Sequence, residues 1–116
     1  MANRMTLIVM ALSFFLSGCK SSDQNSGIPN CIKESIEALK NQPIQNPPAE
    51  VWLWESNGKT YYYFNAACCD QFSILYNDKC ELICAPDGGF TGKGDGKCPE
   101  FGESVKKILI WKDERK

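Results

Sequence analysis

The chain has 116 residues with 13 Lys and Arg against 14 Asp and Glu, a balance that offers neither a nucleic-acid surface nor a polybasic patch for lipid headgroups. It contains no histidine, which removes the commonest general base, the triads built on it and most zinc sites, so a conventional hydrolase is not expected. The length suits one small domain and no more.

The N-terminus reads as an export signal. Arg4 supplies a positive start, and Met5 to Leu16 is almost uninterruptedly apolar, too short to span a bilayer. The run ends in Leu16, Ser17, Gly18, Cys19, the pattern of a lipobox: a large aliphatic residue, two small ones, then the cysteine whose thiol receives diacylglycerol. Residues 1–18 are therefore expected to be removed and Cys19 to become the acylated first residue, with covalent diacylglycerol and fatty acid as the only attached group. This reading places the protein outside the cytoplasm, lipid-anchored to a bacterial cell envelope, with the outer membrane expected ahead of the inner one. Residues 19–29 read as a tether, since Lys20 to Gly27 is polar, Ser-rich and free of aromatics. Residues 30–116 are expected to form a single globular domain.

In that domain Asn30 is placed to cap a helix whose Ile32, Ile36 and Leu39 recur at helical spacing, with Lys33, Glu34, Glu37 and Lys40 on the wet face. Pro43 bounds it, and Pro47 and Pro48 make a stiff extended connection. Ala49 to Ser56, the turn pair Asn57 and Gly58, and Lys59 to Asn65 form the strongest hairpin signal in the chain. A two-residue turn sets the register, so Trp54 should face Tyr61 and Trp52 face Tyr63 on one side, with Leu53 facing Tyr62 and Val51 facing Phe64 on the other. The aliphatic side with Phe64 is the better candidate to lie under the helix, because it carries fewer polar tips. The Trp52, Trp54, Tyr61, Tyr63 side then has two readings: an exposed platform for a glycan or an envelope protein, or ordinary cross-strand packing covered by the glycine loop, which is preferred.

Phe72 to Tyr76 and Cys80 to Cys84, around Asn77 and Asp78, predict a second hairpin, and Val105 to Trp111 a final, less regular strand. The sum is an α+β domain, small and disulfide-stabilised: one N-terminal helix on an antiparallel sheet of about four or five strands, with a long glycine-rich loop.

With Cys19 committed to lipid, the remaining Cys31, Cys68, Cys69, Cys80, Cys84 and Cys98 make an even set, which in an exported domain reads as a disulfide framework. Six cysteines allow about 15 connectivities. If the segment is extended, adjacent Cys68 and Cys69 point to opposite faces and should bridge to different partners. A zinc site using Cys80 and Cys84 with two others is the rival reading. A thiol redox site is less favoured, because three residues rather than two separate Cys80 from Cys84.

Ala85 to Gly102 is too rich in glycine for a helix or a regular strand. It has neither the Ser or Thr after lysine of a phosphate-binding loop nor the acidic offsets of an EF-hand. Asp87 and Asp95 could contribute to an irregular calcium site; the preferred reading is a surface loop anchored at Cys84 and Cys98.

Pro47 and Pro48, then Gly58, Lys59 and Thr60, then Cys68, Cys69 and Asp70, and finally the run from Cys84 to Phe101 together resemble a family of small Bacteroidota lipoproteins catalogued only as a domain of unknown function. The likeness covers about residues 28–101 and implies an envelope location and one small domain. It supplies no activity. A second resemblance, to Kazal-type protease inhibitors, rests on the spacing of Cys69, Tyr76, Cys80 and Cys84 and on the ending Gly96, Lys97, Cys98. Here the preceding inhibitor cysteine falls at Tyr61, so the reactive-site loop has no counterpart. The expected function is therefore a non-enzymatic binding module, with protease inhibition or a purely structural envelope role as the alternatives.

Overall fold

A computed structural model describes residues 27–101 and 104–116. The export signal, Cys19 and most of the expected tether lie outside the described residues. Helix α1 spans Asn30–Lys40, and five strands follow: β1 (Glu50–Ser56), β2 (Lys59–Phe64), β3 (Ile74–Asn77), β4 (Leu82–Cys84) and β5 (Lys106–Lys112). They form one antiparallel sheet in the order β4-β3-β2-β1-β5. Among the described residues no helix is long and apolar enough to cross a membrane.

The start of α1 differs from expectation by one residue. Pro29, not Asn30, occupies the capping position, and its carbonyl accepts from the N–H groups of Ile32 and Lys33. Proline has no N–H to leave unsatisfied and its ring presets φ, so it suits that place and Asn30 is drawn into the first turn. Ile32 and Ile36 are the buried residues of the helix.

The first hairpin has the register derived from its turn, from Ser56 opposite Lys59 out to Val51 opposite Phe64. Asn57 and Gly58 both have positive φ, 51° and 74°, as a turn matching strand twist requires. The second hairpin is shorter than its sequence suggested. Phe72 leaves the strand to bridge Gly88 instead, and Cys80 sits at φ 59° in the turn, where the Asn77 side chain accepts from the N–H groups of Lys79 and Glu81. The last strand, β5, pairs with β1 through an irregularity between Val51 and Trp52.

Both faces of the sheet are covered. Under the helix, Val51 and Tyr62 pack with Ile32 and Ile36, joined at the edges by Leu53, Phe64, Ile110 and Trp111. On the opposite face Trp54, Tyr61, Leu75 and Cys84 form a second buried cluster with Trp52, Tyr63, Cys98 and Phe101 against it. The exposed-platform reading of Trp52, Trp54, Tyr61 and Tyr63 is thereby corrected, and the covered alternative holds. Trp54 and Tyr61 are each only 8% exposed, and Trp52 and Tyr63 are half-buried. The cause is the bond between Cys84 and Cys98, which turns the glycine loop back over this face. Phe101 then sets its ring edge against Trp54 and Tyr61, with centroids 5.7 and 5.3 Å away.

Two further disulfides complete the set. Cys31–Cys80 ties the helix to the β3–β4 turn across 49 residues of sequence. Cys68 and Cys69 are bonded to each other, which overturns the expectation of different partners. The segment is a turn rather than a strand: Cys69 has φ 60° and the Gln71 N–H donates to the Cys68 carbonyl, so the two side chains converge. These pairings leave Cys80 and Cys84 with different partners, so the zinc reading fails as well. They also replace the inhibitor-like framework, since Cys69 bonds its neighbour and Tyr76 to Cys84 is a hairpin.

The C-terminus closes the helix layer. The Arg115 guanidinium donates to the carbonyls of Lys40 (2.9 Å), Gln42 (3.0 Å) and Leu39 (3.3 Å) and to the Asp113 carboxylate (2.7 and 2.9 Å). It therefore satisfies carbonyls that a helix end leaves without partners.

Candidate binding groove

The acidic pair singled out in the glycine loop is engaged internally. The Tyr63 hydroxyl donates to the Asp87 carboxylate at 2.8 and 3.0 Å, and the fully buried Ser73 hydroxyl accepts from the Asp87 N–H and donates to its carbonyl, both at 3.1 Å. Burial and that hydrogen bond push the Tyr63 hydroxyl up to about 12. Asp95 accepts from the Lys97 N–H at 2.9 Å, which holds its carboxyl below the usual value. Among the described residues no three His, Cys, Asp or Glu side chains gather as a metal site, and both Asp87 and Asp95 serve to organise the loop. The loop is closely built. The Gly94 N–H donates to Gly88, and a Cβ at Gly94 would collide with the Ala85 carbonyl oxygen.

One open groove lies on the helix side. It measures about 320 Å³ and runs between the C-terminal half of α1 and the adjoining ends of β2 and β3. Leu39, Phe64, Ile74 and Tyr76 supply its apolar surface, with Phe64 and Tyr76 edge to face at 5.5 Å. Phe72 is half exposed and forms a wall. Its ring rests on Gly89, where a Cβ would collide with it, so the glycine loop of the far face positions this aromatic. Gln71 is held from both sides, by the Cys68–Cys69 turn and by its carbonyl accepting from the Gly89 N–H.

Polar side chains in the groove are amides and two hydroxyls, Tyr76 and Ser35, the latter donating to the Cys31 carbonyl at 2.9 Å. The Asn65 amide is used within the fold, donating to the Pro48 carbonyl and accepting from the Glu50 N–H. The side-chain amides of Gln42, Gln45 and Gln71 have no hydrogen-bond partner among the described residues, and none of their side-chain atoms is buried without one, so they are open to water. Among the described residues no Asp, Glu, Lys or Arg lines the groove, although 23% of the chain is charged. Such an arrangement can bind and orient a ligand.

None of the candidate binding, calcium or disulfide residues lines this groove, and Leu39, Phe64, Phe72 and Tyr76, which do, are expected from the sequence only as parts of the helix and hairpins. Its residues come from the helix, the proline connection, β2, the turn after it and β3, and no periodicity joins them. One signal was there to be read: Asn41 to Ala49 is uncharged and carries four amide side chains in an otherwise charge-rich chain.

No curated protein and no solved structure matches the chain. A family model does match residues 37–113, from the last turn of α1 through all five strands to Asp113. The sheet and the residues lining the groove after Ser35 thus fall within that match, and the chain belongs to the family described as a domain of unknown function (DUF6970).

Proposed function

We propose that this protein is a lipoprotein anchored to the bacterial cell envelope through Cys19, whose folded domain binds a partner there rather than catalysing a reaction. The carrying observation is the cysteine inventory. Six of the seven cysteines pair with one another, and the seventh is the lipobox residue Cys19. Disulfides persist in oxidising compartments, so the pairing supports export, and export is what the apolar run before Cys19 would accomplish. The Bacteroidota lipoprotein resemblance points the same way. An uncharged groove and a chain without histidine favour binding over catalysis.

Metabolic labelling with a fatty acid tests the anchor. The wild-type chain should incorporate label and partition with membranes, and Cys19→Ala should do neither, since a thioether at Cys19 is the only lipid attachment the sequence provides. Continued acylation of Cys19→Ala would remove the basis of the proposal.

A further inference from the structure

We propose that the groove between α1 and β2–β3 takes a neutral saccharide, an assignment that rests on reading the domain as a binding module. Three properties of the lining lead to it. The first is charge: with no ionised side chain in the groove, a charged ligand would leave its hydration without gaining a counter-charge, so a neutral ligand is favoured. The second is the amide rim. Gln42, Gln45 and Gln71 each carry one carbonyl acceptor and an NH₂ with two donors, so together they match groups that donate and accept at once, as sugar hydroxyls do. An apolar ligand would instead cover these amides and leave them without partners. The third is the aromatic wall. Phe72, 50% exposed, and Ile74, 36% exposed, both line the groove and offer apolar surface on which the C–H-rich face of a sugar ring can lie. A volume of about 320 Å³ lies at the small end of ligand sites and suits one or two sugar rings.

The wall is also built to stay in place. Phe72 is backed by Gly89, and Gln71 is gripped by the Cys68–Cys69 turn and the Gly89 N–H, so little ordering would remain to be done on binding.

The test uses the full-length lipoprotein, isotope-labelled, in a zwitterionic detergent without sugar headgroups. Side-chain amide resonances of Gln42, Gln45 and Gln71 are followed during titration with neutral hexose and N-acetylhexosamine disaccharides, a uronic-acid disaccharide and a blocked neutral tripeptide. A neutral disaccharide should shift these resonances, the uronic acid should bind at least tenfold more weakly, and Phe72→Ala should weaken the neutral saccharide at least tenfold. Phe72 is half exposed, so its truncation should spare the fold; Gln45→Ala, expected to weaken binding severalfold, provides a second variant. Shifts produced by the tripeptide and by no saccharide would overturn the saccharide assignment while leaving a binding groove. Silence from every probe would overturn the groove as a binding site, whereas saccharide binding that neither variant weakens would overturn its placement in this groove and leave the binding-module reading standing.

Discussion

Truncating Trp54 to alanine tests whether the glycine loop makes a core of the aromatic face. Trp54 is 8% exposed, stacks on Tyr63 with centroids 5.0 Å apart and planes 9° from parallel, meets the Phe101 edge at 5.7 Å and has the Lys107 ammonium 4.4 Å from its ring centre. Removing a buried Trp or Phe side chain costs about 3 to 5 kcal/mol, and two aromatic partners place this one toward the upper end. A domain of this size is stable by about 5 to 15 kcal/mol, so Trp54→Ala should consume a large part of the total. Followed by far-ultraviolet circular dichroism in urea, with a slope near 2 kcal/mol per molar, the midpoint should fall by about 2 M. Trp52 is the internal control. It is half-buried, holds one hydrogen bond from its indole N–H to the Glu50 carboxylate at 2.9 Å, and its truncation should cost about 1 kcal/mol. Equal, small losses for the two variants would refute the argument that the disulfide-pinned loop buries Trp54.

Replacing Cys31 and Cys80 together by alanine opens a loop spanning 49 residues of sequence and should lower stability by about 4 kcal/mol on loop-closure entropy, measured by the same urea titration; a loss under about 1 kcal/mol would contradict it. Because Tyr63 is pushed up to about 12, its contribution is complete below the ordinary tyrosine value near 10 and should be lost as pH rises from there toward 12. Difference absorbance of the phenolate between wild type and Tyr63→Phe should report that late titration, and Asp87→Ala should bring it earlier. Arg115 holds the Asp113 carboxyl below its usual value, so this pair stabilises above the ordinary aspartate range and should let go as pH falls through the lowered value. Arg115→Ala should move acid unfolding to higher pH and speed hydrogen exchange in the last turn of α1, and an unchanged acid transition would contradict the role given to the pair.

What could be read from the chain was decided by short-range geometry. A two-residue Asn57-Gly58 turn admits one pairing of its strands, so the opposition of Trp54 to Tyr61 and of Val51 to Phe64 followed from counting. Helical spacing of Ile32 and Ile36, and the fewer polar tips beside Phe64, likewise gave the layer order. What could not be read depended on segments meeting from far apart. Cys68 bonds Cys69 because the chain turns there at positive φ, which alternation along an extended strand could not anticipate. That the aromatic face is covered is the reading the sequence prefers, but the packing that settles it, Cys98 returning to Cys84 and bringing Phe101 onto Trp54 and Tyr61, belongs to the tertiary structure. The groove is the extreme case: Gln42 and Gln45 follow the helix, Gln71 follows the cysteine turn, and Phe72 stands where it does because Gly89 leaves room for its ring. Beyond the uncharged, amide-rich run from Asn41 to Ala49, residue types and spacing carry no trace of such a meeting, since it is created by a sheet and a loop packing from opposite sides of the domain.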